Sequence, residues 1–273
     1  MFTRMSHAAG YLCNASIRGV LLVGVIVVSV SACGLFDKEE DVTRNWSAQR
    51  LYSAGKTELE GGNWPTAIEF YEKLETRYPF NPFTMQAQLE TAYAYYKVSE
   101  PASSVAAADR FIKLYPQHPS VDYAYYIKGL AQFDQGRGFL DRLSQLDPSQ
   151  RDPGAALESF EDFSELVRRF PNSRYAKDAR TRMLFLRNNL AKHEVHVANY
   201  YMRRKAFVAA ANRAKYVIEN YDRSPAVPEA LVIMAKAYRI LGLENLSEDA
   251  VRVLELNYPD HPGLQEVDTL NLN

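Results

Sequence analysis

The sequence is poor in the residues that redox, metal and nucleotide chemistry require. Only two cysteines, Cys13 and Cys33, stand in 273 residues, so at most one disulfide can form. No Gly-rich phosphate loop, nucleophile elbow or Cys/His cluster occurs. His193-Glu194-Val195-His196 sets two imidazoles three residues apart, whereas a helical zinc pair sits at i and i+4. That pair reads as partly buried or interfacial, not as metal ligands. Neither sign of charge is in excess. With 32 Lys and Arg against 33 Asp and Glu, the net charge is −1, which excludes a global basic surface for nucleic acid. Thirteen Gly and thirteen Pro are too few for a collagen-like or linker-dominated chain. Tryptophan is scarce, at two, against 18 Tyr and 13 Phe. The remainder, 47% hydrophobic and 24% charged, is a folding composition. No catalytic residue, metal site or cofactor is assigned, and the chain does not read as an enzyme.

Charge is also missing from one stretch. Arg4 and Arg18 are the only charged residues before Asp37. The apolar run from Val20 to Val30 follows, then Ser31-Ala32-Cys33-Gly34. The run is too short for a bilayer span, which needs about 20 residues. A basic start, a short apolar core and small residues form a secretory signal. Val30-Ser31-Ala32-Cys33 resembles a bacterial lipobox, which implies cleavage before Cys33 and acylation of its thiol. Cys13 leaves with the signal, so no disulfide remains possible in the mature chain. Gly34 after the cysteine, by resemblance to sorted lipoproteins, favours the outer membrane.

The body carries a repeat. Tyr78, Tyr115, Phe170, Tyr221 and Tyr258 are each followed by Pro or Asp, at spacings of 37, 55, 51 and 37. Eleven residues before each aromatic stands a small residue: Ala67, Ser104, Ser159, Ala210 and Ser247. Four before it is an apolar one: Leu74, Phe111, Leu166, Val217 and Leu254. Gly55, Ala92, Gly129, Leu184 and Ala235 hold a third common phase. Small residues let two helix backbones approach, the aromatic fills the junction, and proline cannot continue a helix. The pattern resembles the tetratricopeptide repeat. It predicts an all-α fold of five tetratricopeptide-like helix pairs forming a right-handed α-solenoid, with no sheet.

The expected organisation is a signal over 1–32, a lipidated tether over 33–45 and two repeats over 46–119. A third repeat with a loop insertion spans 120–171. A fourth and fifth with a long helix span 172–262, and a polar tail covers 263–273. The loop insertion holds Gly136, Gly138, Pro148, Pro153 and Gly154. The fourth repeat has 14 extra residues, placed between Leu184 and Ala210, close to four helical turns. Its helix is expected to protrude and offer a docking surface; the alternative is a kinked helix that folds back on the core. His118 and His261 hold equivalent turns and read as turn structure.

First helices line the groove of such repeats. Tyr52, Lys56, Tyr93, Tyr96, Lys97, Tyr123, Tyr126 and Phe133 project there, though some of the tyrosines are expected to pack between helices. Tyrosine gives contact area at low rotamer cost and lysine a point charge, which suits a peptide with aromatic side chains and a free carboxylate. The basic stretch Arg203, Arg204, Lys205, Arg213 and Lys215 offers partner docking. Arg213, among alanines and beside Asn212, is either solvated or an anchor for a partner carboxylate.

Asp122-Tyr123, Arg151-Asp152-Pro153, Asp162-Phe163, Leu166-Val167-Arg168, Pro171-Asn172-Ser173, Leu190-Ala191-Lys192, Tyr200-Tyr201 and Asn212-Arg213 add a specific resemblance. Together with the lipobox and the irregular third and fourth repeats, they resemble the BamD (ComL) family of β-barrel assembly lipoproteins. The resemblance covers nearly the whole mature chain and weakens after Pro262. It implies a periplasmic, lipid-anchored subunit of the outer-membrane machinery. It implies contact with the barrel subunit BamA and smaller lipoproteins through the C-terminal half. It also implies recognition, by the N-terminal repeats, of unfolded barrel proteins whose C-terminal signal ends in an aromatic residue. Within it, Asn212 and Arg213 become expected BamA contacts. The rival expectation is a cell-wall-associated repeat lipoprotein organising peptidoglycan or division proteins.

Overall fold

A computed structural model describes residues 41–135 and 147–269. The signal, Cys33 and the centre of the insertion lie outside the described residues. Residues 41–46 form a turn in which the Asp41 carboxylate accepts from the Thr43 backbone N–H and hydroxyl. From Ser47 onward the chain is a second unit built of helices.

Ten helices of this unit make five antiparallel pairs. The first pair is α1 (Ala48–Glu60) and α2 (Trp64–Arg77), the second α3 (Pro82–Lys97) and α4 (Pro101–Leu114). The third is α5 (Val121–Gln135) and α6 (Gly154–Arg169), the fourth α7 (Ala176–Arg203) and α8 (Phe207–Asn220). The fifth is α9 (Val227–Ile240) and α10 (Glu244–Asn257), capped by the short α11 (Gly263–Asp268). Each helix packs on the next along the chain, and α1 meets α3, α3 meets α5 and α7 meets α9. No strand occurs among the described residues.

The repeated aromatics end the second helices. Tyr78, Tyr115, Phe170, Tyr221 and Tyr258 are C-caps with φ between −128° and −140°, each still donating its N–H to the apolar residue four before. Those apolar residues are fully buried. A second repeated device follows three residues on. Asn81, His118, Ser173, Ser224 and His261 each accept, on the side chain, the backbone N–H two residues later. This fixes the sharp turn into the next pair, and it includes the two turn histidines.

Within each pair the small residues face one another. A Cβ on Gly129 would lie 2.6 Å from the Phe163 ring, and one on Gly55 2.5 Å from the Tyr71 ring, so only glycine lets those rings seat. Where the second small residue is serine, its hydroxyl donates to the facing helix. Ser104 bonds the Ala92 carbonyl, Ser159 that of Gly129 and Ser247 that of Ala235, at 2.8, 2.9 and 2.9 Å. A buried carbonyl gains a second partner in this way.

The fourth pair departs from the expected phase. Leu184 is 51% exposed, while Ala198 is fully buried with Ala210 in one core. Ala198 precedes Ala210 by 12 residues, as Ala92 precedes Ser104 and Ala235 precedes Ser247. The extra turns therefore precede the small residue of α7, not follow it. Counting from the preceding turn missed this, because pairing with α8 sets the register.

Those turns join two cores. One holds Ala92, Ile127, Leu130, Phe163, Leu166, Ala179 and Leu186. The other holds Ala191, Val195, Ala198, Val217, Leu231 and Leu254. α7 is unbroken through both, so it does not fold back. Nor does it stand clear of its neighbours, since it packs on α6, α8, α9 and the 3-10 turn Pro148–Gln150. His193 donates from Nδ1 to the Ser149 carbonyl at 2.9 Å, and His196 Nε2 lies 3.0 Å from the Ser149 hydroxyl. Lys192 pairs with Asp147, which holds the Asp147 carboxyl far below the usual carboxylate range. The histidine pair thus clamps the end of the insertion. After Pro262, α11 buries Val267 in the second core, so this part of the expected tail is structured.

Candidate functional site

A cavity of about 680 Å³ opens where the first three first-helices meet the α6–α7 turn. Its lining includes Lys56, Leu59, Leu89, Glu90, Tyr93 and Tyr123 from helices, with Asn172, Ser173, Arg174 and Tyr175 from that turn. Of the residues expected in a groove, Lys56, Tyr93 and Tyr123 line it.

The floor is tied down by one buried carboxylate. Glu90 accepts from Lys56 Nζ at 2.9 Å, from Gln86 at 3.0 Å and from the Tyr52 hydroxyl at 3.2 Å. Its other oxygen accepts from the Tyr71 hydroxyl. A buried charge is tolerable only with such partners. Tyr52 therefore serves the floor: it stacks between Tyr71 and Phe83 and is absent from the cavity lining. Burial, with Glu90 beside it, pushes its phenol up to about 12.

The wall is a ladder of rings. Tyr175 stacks on Tyr126 at 4.7 Å and lies against Tyr123 at 5.2 Å. Tyr126 donates to Asp178 at 2.7 Å, and burial ahead of that carboxylate raises its phenol to about 12. Burial also raises the Tyr123 phenol well above its ordinary value. Tyr93 sits edge-on to Trp64, and Lys97 lies over the same indole at 5.3 Å, outside the cavity lining. Tyr96 donates to Asp134 at 2.7 Å, also outside it. Phe133 is 7% exposed and packs in the first core, so it does not face a groove.

Sequence reasoning missed Glu90, Arg174 and Tyr175. Glu90 lies on the buried side of α3, two residues before the small Ala92 and three before Tyr93, and a lone acid there carries no motif. Arg174 and Tyr175 belong to a turn of the fourth pair, and only the stacking of pairs brings them beside the first. The polar turn residue Ser173, in register with Asn81 and His118, was the available signal. Its hydroxyl also donates to Asp122 at 2.6 Å, which pins the turn to α5.

The docking residues lie at the other end. Arg203 and Arg204 are exposed at the end of α7, and Lys205 follows with φ 58°. Arg213 is half exposed and pairs with Glu194 of α7 at 3.0 Å, so its guanidinium is neither alone nor simply solvated. Asn212 is exposed on α8 between Val208 and Tyr216, two apolar residues also open to solvent. Four-residue spacing puts these three on one helix face. Among the described residues no group of three or more His, Cys, Asp or Glu could hold a metal. No helix there is long and apolar enough to cross a membrane.

A family model described as YfiO, outer membrane lipoprotein, matches residues 44–254. Curated relatives carry the name outer membrane protein assembly factor BamD. The protein of that name from Neisseria meningitidis serogroup B is 44% identical over 252 residues, spanning 91% of this chain and 94% of its own length. That of Xylella fastidiosa strain Temecula1 is 41% identical, over 80% of this chain and 74% of its own. That of Vibrio cholerae serotype O1 is 39% identical, over 80% of this chain and 90% of its own.

Proposed function

Since the chain belongs to the BamD family of outer membrane lipoproteins and assembly factors, we propose that it is a non-enzymatic scaffold and substrate receptor in β-barrel assembly. It captures the C-terminal signals of unfolded barrel proteins at its N-terminal end. It docks to BamA, and to the smaller lipoproteins of that complex, through α7, α8 and the pairs beyond. Acylated Cys33 holds it to the periplasmic face of the outer membrane.

The observation that carries this reading is the cavity of aromatic and cationic side chains between the first pairs and the α6–α7 turn. Such a recess takes up an apolar side chain and a carboxylate without any catalytic group. The docking half is supported by the exposed Arg203, Arg204, Asn212 and Arg213 cluster. A partner carboxylate at Arg213 would compete with Glu194, an exchange of one charge-assisted bond for another.

A crosslinked pull-down from the outer membrane tests the reading. BamA and unfolded barrel chains should be recovered with the wild type. Arg213→Glu should lose BamA while keeping its helical circular dichroism. Recovery of wall or division proteins without BamA would favour the wall-associated role instead.

A further inference from the structure

We propose that Arg174 is the carboxylate anchor of the cavity, with the Leu59, Leu89 and Tyr93 surface taking the last side chain of a peptide that ends there. The inference rests on the receptor reading above and deepens it. It assigns the site to a free C-terminus, and it places the specificity on the fourth pair, not on the lysines of the first two.

Charge accounting across the lining leads to this residue. Two cations and two carboxylates line the cavity: Lys56, Arg174, Glu90 and Asp122. Lys56 is neutralised in place, 2.9 Å from a Glu90 oxygen. Asp122 accepts the Ser173 hydroxyl at 2.6 Å with one oxygen, and with the other the Tyr123 backbone N–H at 2.8 Å. Of the two cations, Arg174 is the one with no carboxylate partner, and Asp122 is already held by its two neutral donors. It is exposed, and its one hydrogen bond goes to the Tyr175 hydroxyl. A guanidinium carries five N–H donors, so most of the fork remains available. A planar fork matches a carboxylate in two parallel bonds, which a lysine cannot do.

The side chain is also held in place. Its guanidinium lies over the Tyr175 ring at 4.7 Å. That ring stacks on Tyr126, which is fixed in turn by Asp178. Asp122 and Ser173 lock the turn itself, and so act as positioning residues. The apolar surface of Leu59, Leu89 and Tyr93 belongs to the same recess. A terminal residue presents its carboxylate and its side chain from one Cα, so it can fill both. An internal acidic residue brings the charge without the neighbouring apolar group.

Two short peptides of one sequence ending in phenylalanine supply the test, one with a free carboxylate and one amidated. Binding to the intact wild-type protein is followed by fluorescence anisotropy. The acid should bind about tenfold more tightly than the amide. In Arg174→Gln the acid should fall to the affinity of the amide, while the amide is unchanged. A purely structural role would weaken both peptides together. Equal binding of acid and amide to the wild type, or an unaltered ratio in Arg174→Gln, would overturn the anchor while the receptor reading stands. If neither peptide binds the wild type, the receptor reading fails and the anchor with it.

Discussion

The two cores bury different kinds of residue. The helices up to α6 bury Thr84, Gln88, Glu90, Gln132 and Asp162 among aromatic rings, whereas the core beyond Ala191 buries Ala, Val, Leu and Ile, with Ser224 and Ser247 the buried polar residues at that end. The outer surfaces do not share the contrast. Phe80, Leu114, Leu157, Leu184 and Phe185 are open to solvent before Arg204, as Val208, Tyr216, Leu243, Leu246, Val253 and Leu256 are beyond it. Buried polar groups are costly unless satisfied, and once satisfied they fix one geometry. An aliphatic core carries no such directional demand. The N-terminal end is thus built to hold a shaped, wet recess. The C-terminal end is a plainer scaffold, with open apolar residues on α8 and α10 that a large partner could cover. The same repeat supports both because the fixed positions, the small pair and the aromatic cap, use only part of each helix.

The sharpest way to break the comparison is to cut the element shared by both cores. Leu186 belongs to the first core and Ala191 to the second, five residues apart on α7. Asn189→Pro would remove one helical hydrogen bond and clash with the carbonyl of Phe185, at a cost of about 3 kcal/mol or more. Urea unfolding followed by circular dichroism should then split into two transitions. One unchanged transition would show that the cores do not depend on a continuous α7.

A smaller effect should separate the two ends by pH. Lys128 bridges Asp109 and Asp162 at 3.0 and 2.9 Å. Burial nevertheless raises the Asp162 carboxyl to about 6, and one of its oxygens has no hydrogen-bond partner. Glu158, one turn away and bonded by Gln132, adds negative charge on the same side. A carboxyl raised on folding holds its proton more tightly in the folded state. Its contribution is complete below about pH 4 and is lost as pH rises through about 6. The first core should therefore be about 1–2 kcal/mol more stable at pH 5 than at pH 7. Trp64 lies edge-on to Tyr93 at this end, so its fluorescence in urea, in a Trp46→Phe background, reads it. Asp162→Asn should flatten the profile, and a persistent slope in that variant would assign the effect elsewhere.

The helix pairs were legible because their signals are local. A C-capping aromatic, a buried residue four before it and a small residue eleven before it all act within one helix. The register of α7 was less so. Leu184 fits the small-residue phase by counting, but Ala198 holds it, since only packing against Ala210 decides. The cavity was legible by half. Tyr93 and Tyr123 follow from first-helix register. Tyr52 and Tyr96 share that register but spend their hydroxyls on Glu90 and Asp134. Arg174 joins the recess only through the stacking of the fourth pair on the third, a contact no spacing records.

The smallest effect concerns the turns inside the pairs, where each end sets one glycine and one residue with a Cβ at a left-handed position. Four such turns contain a left-handed residue: Gly62, Ser99, Lys205 and Gly242, with φ of 79°, 62°, 58° and 73°. Two use glycine, which adopts this backbone freely; a residue with a Cβ is strained there by about 1–2 kcal/mol. Lys205 is exposed and makes no side-chain bond in the fold. Lys205→Gly should therefore relieve strain, offset in part by the greater freedom of glycine in the unfolded chain. The net gain should be about 0.5 kcal/mol, read as a higher urea midpoint of the second core. Gly242→Ala should lower the same midpoint. If Lys205→Gly destabilises instead, the lysine has an energetic role in the basic cluster beside Arg203 and Arg204. That would move the cluster from a docking surface toward part of the scaffold itself.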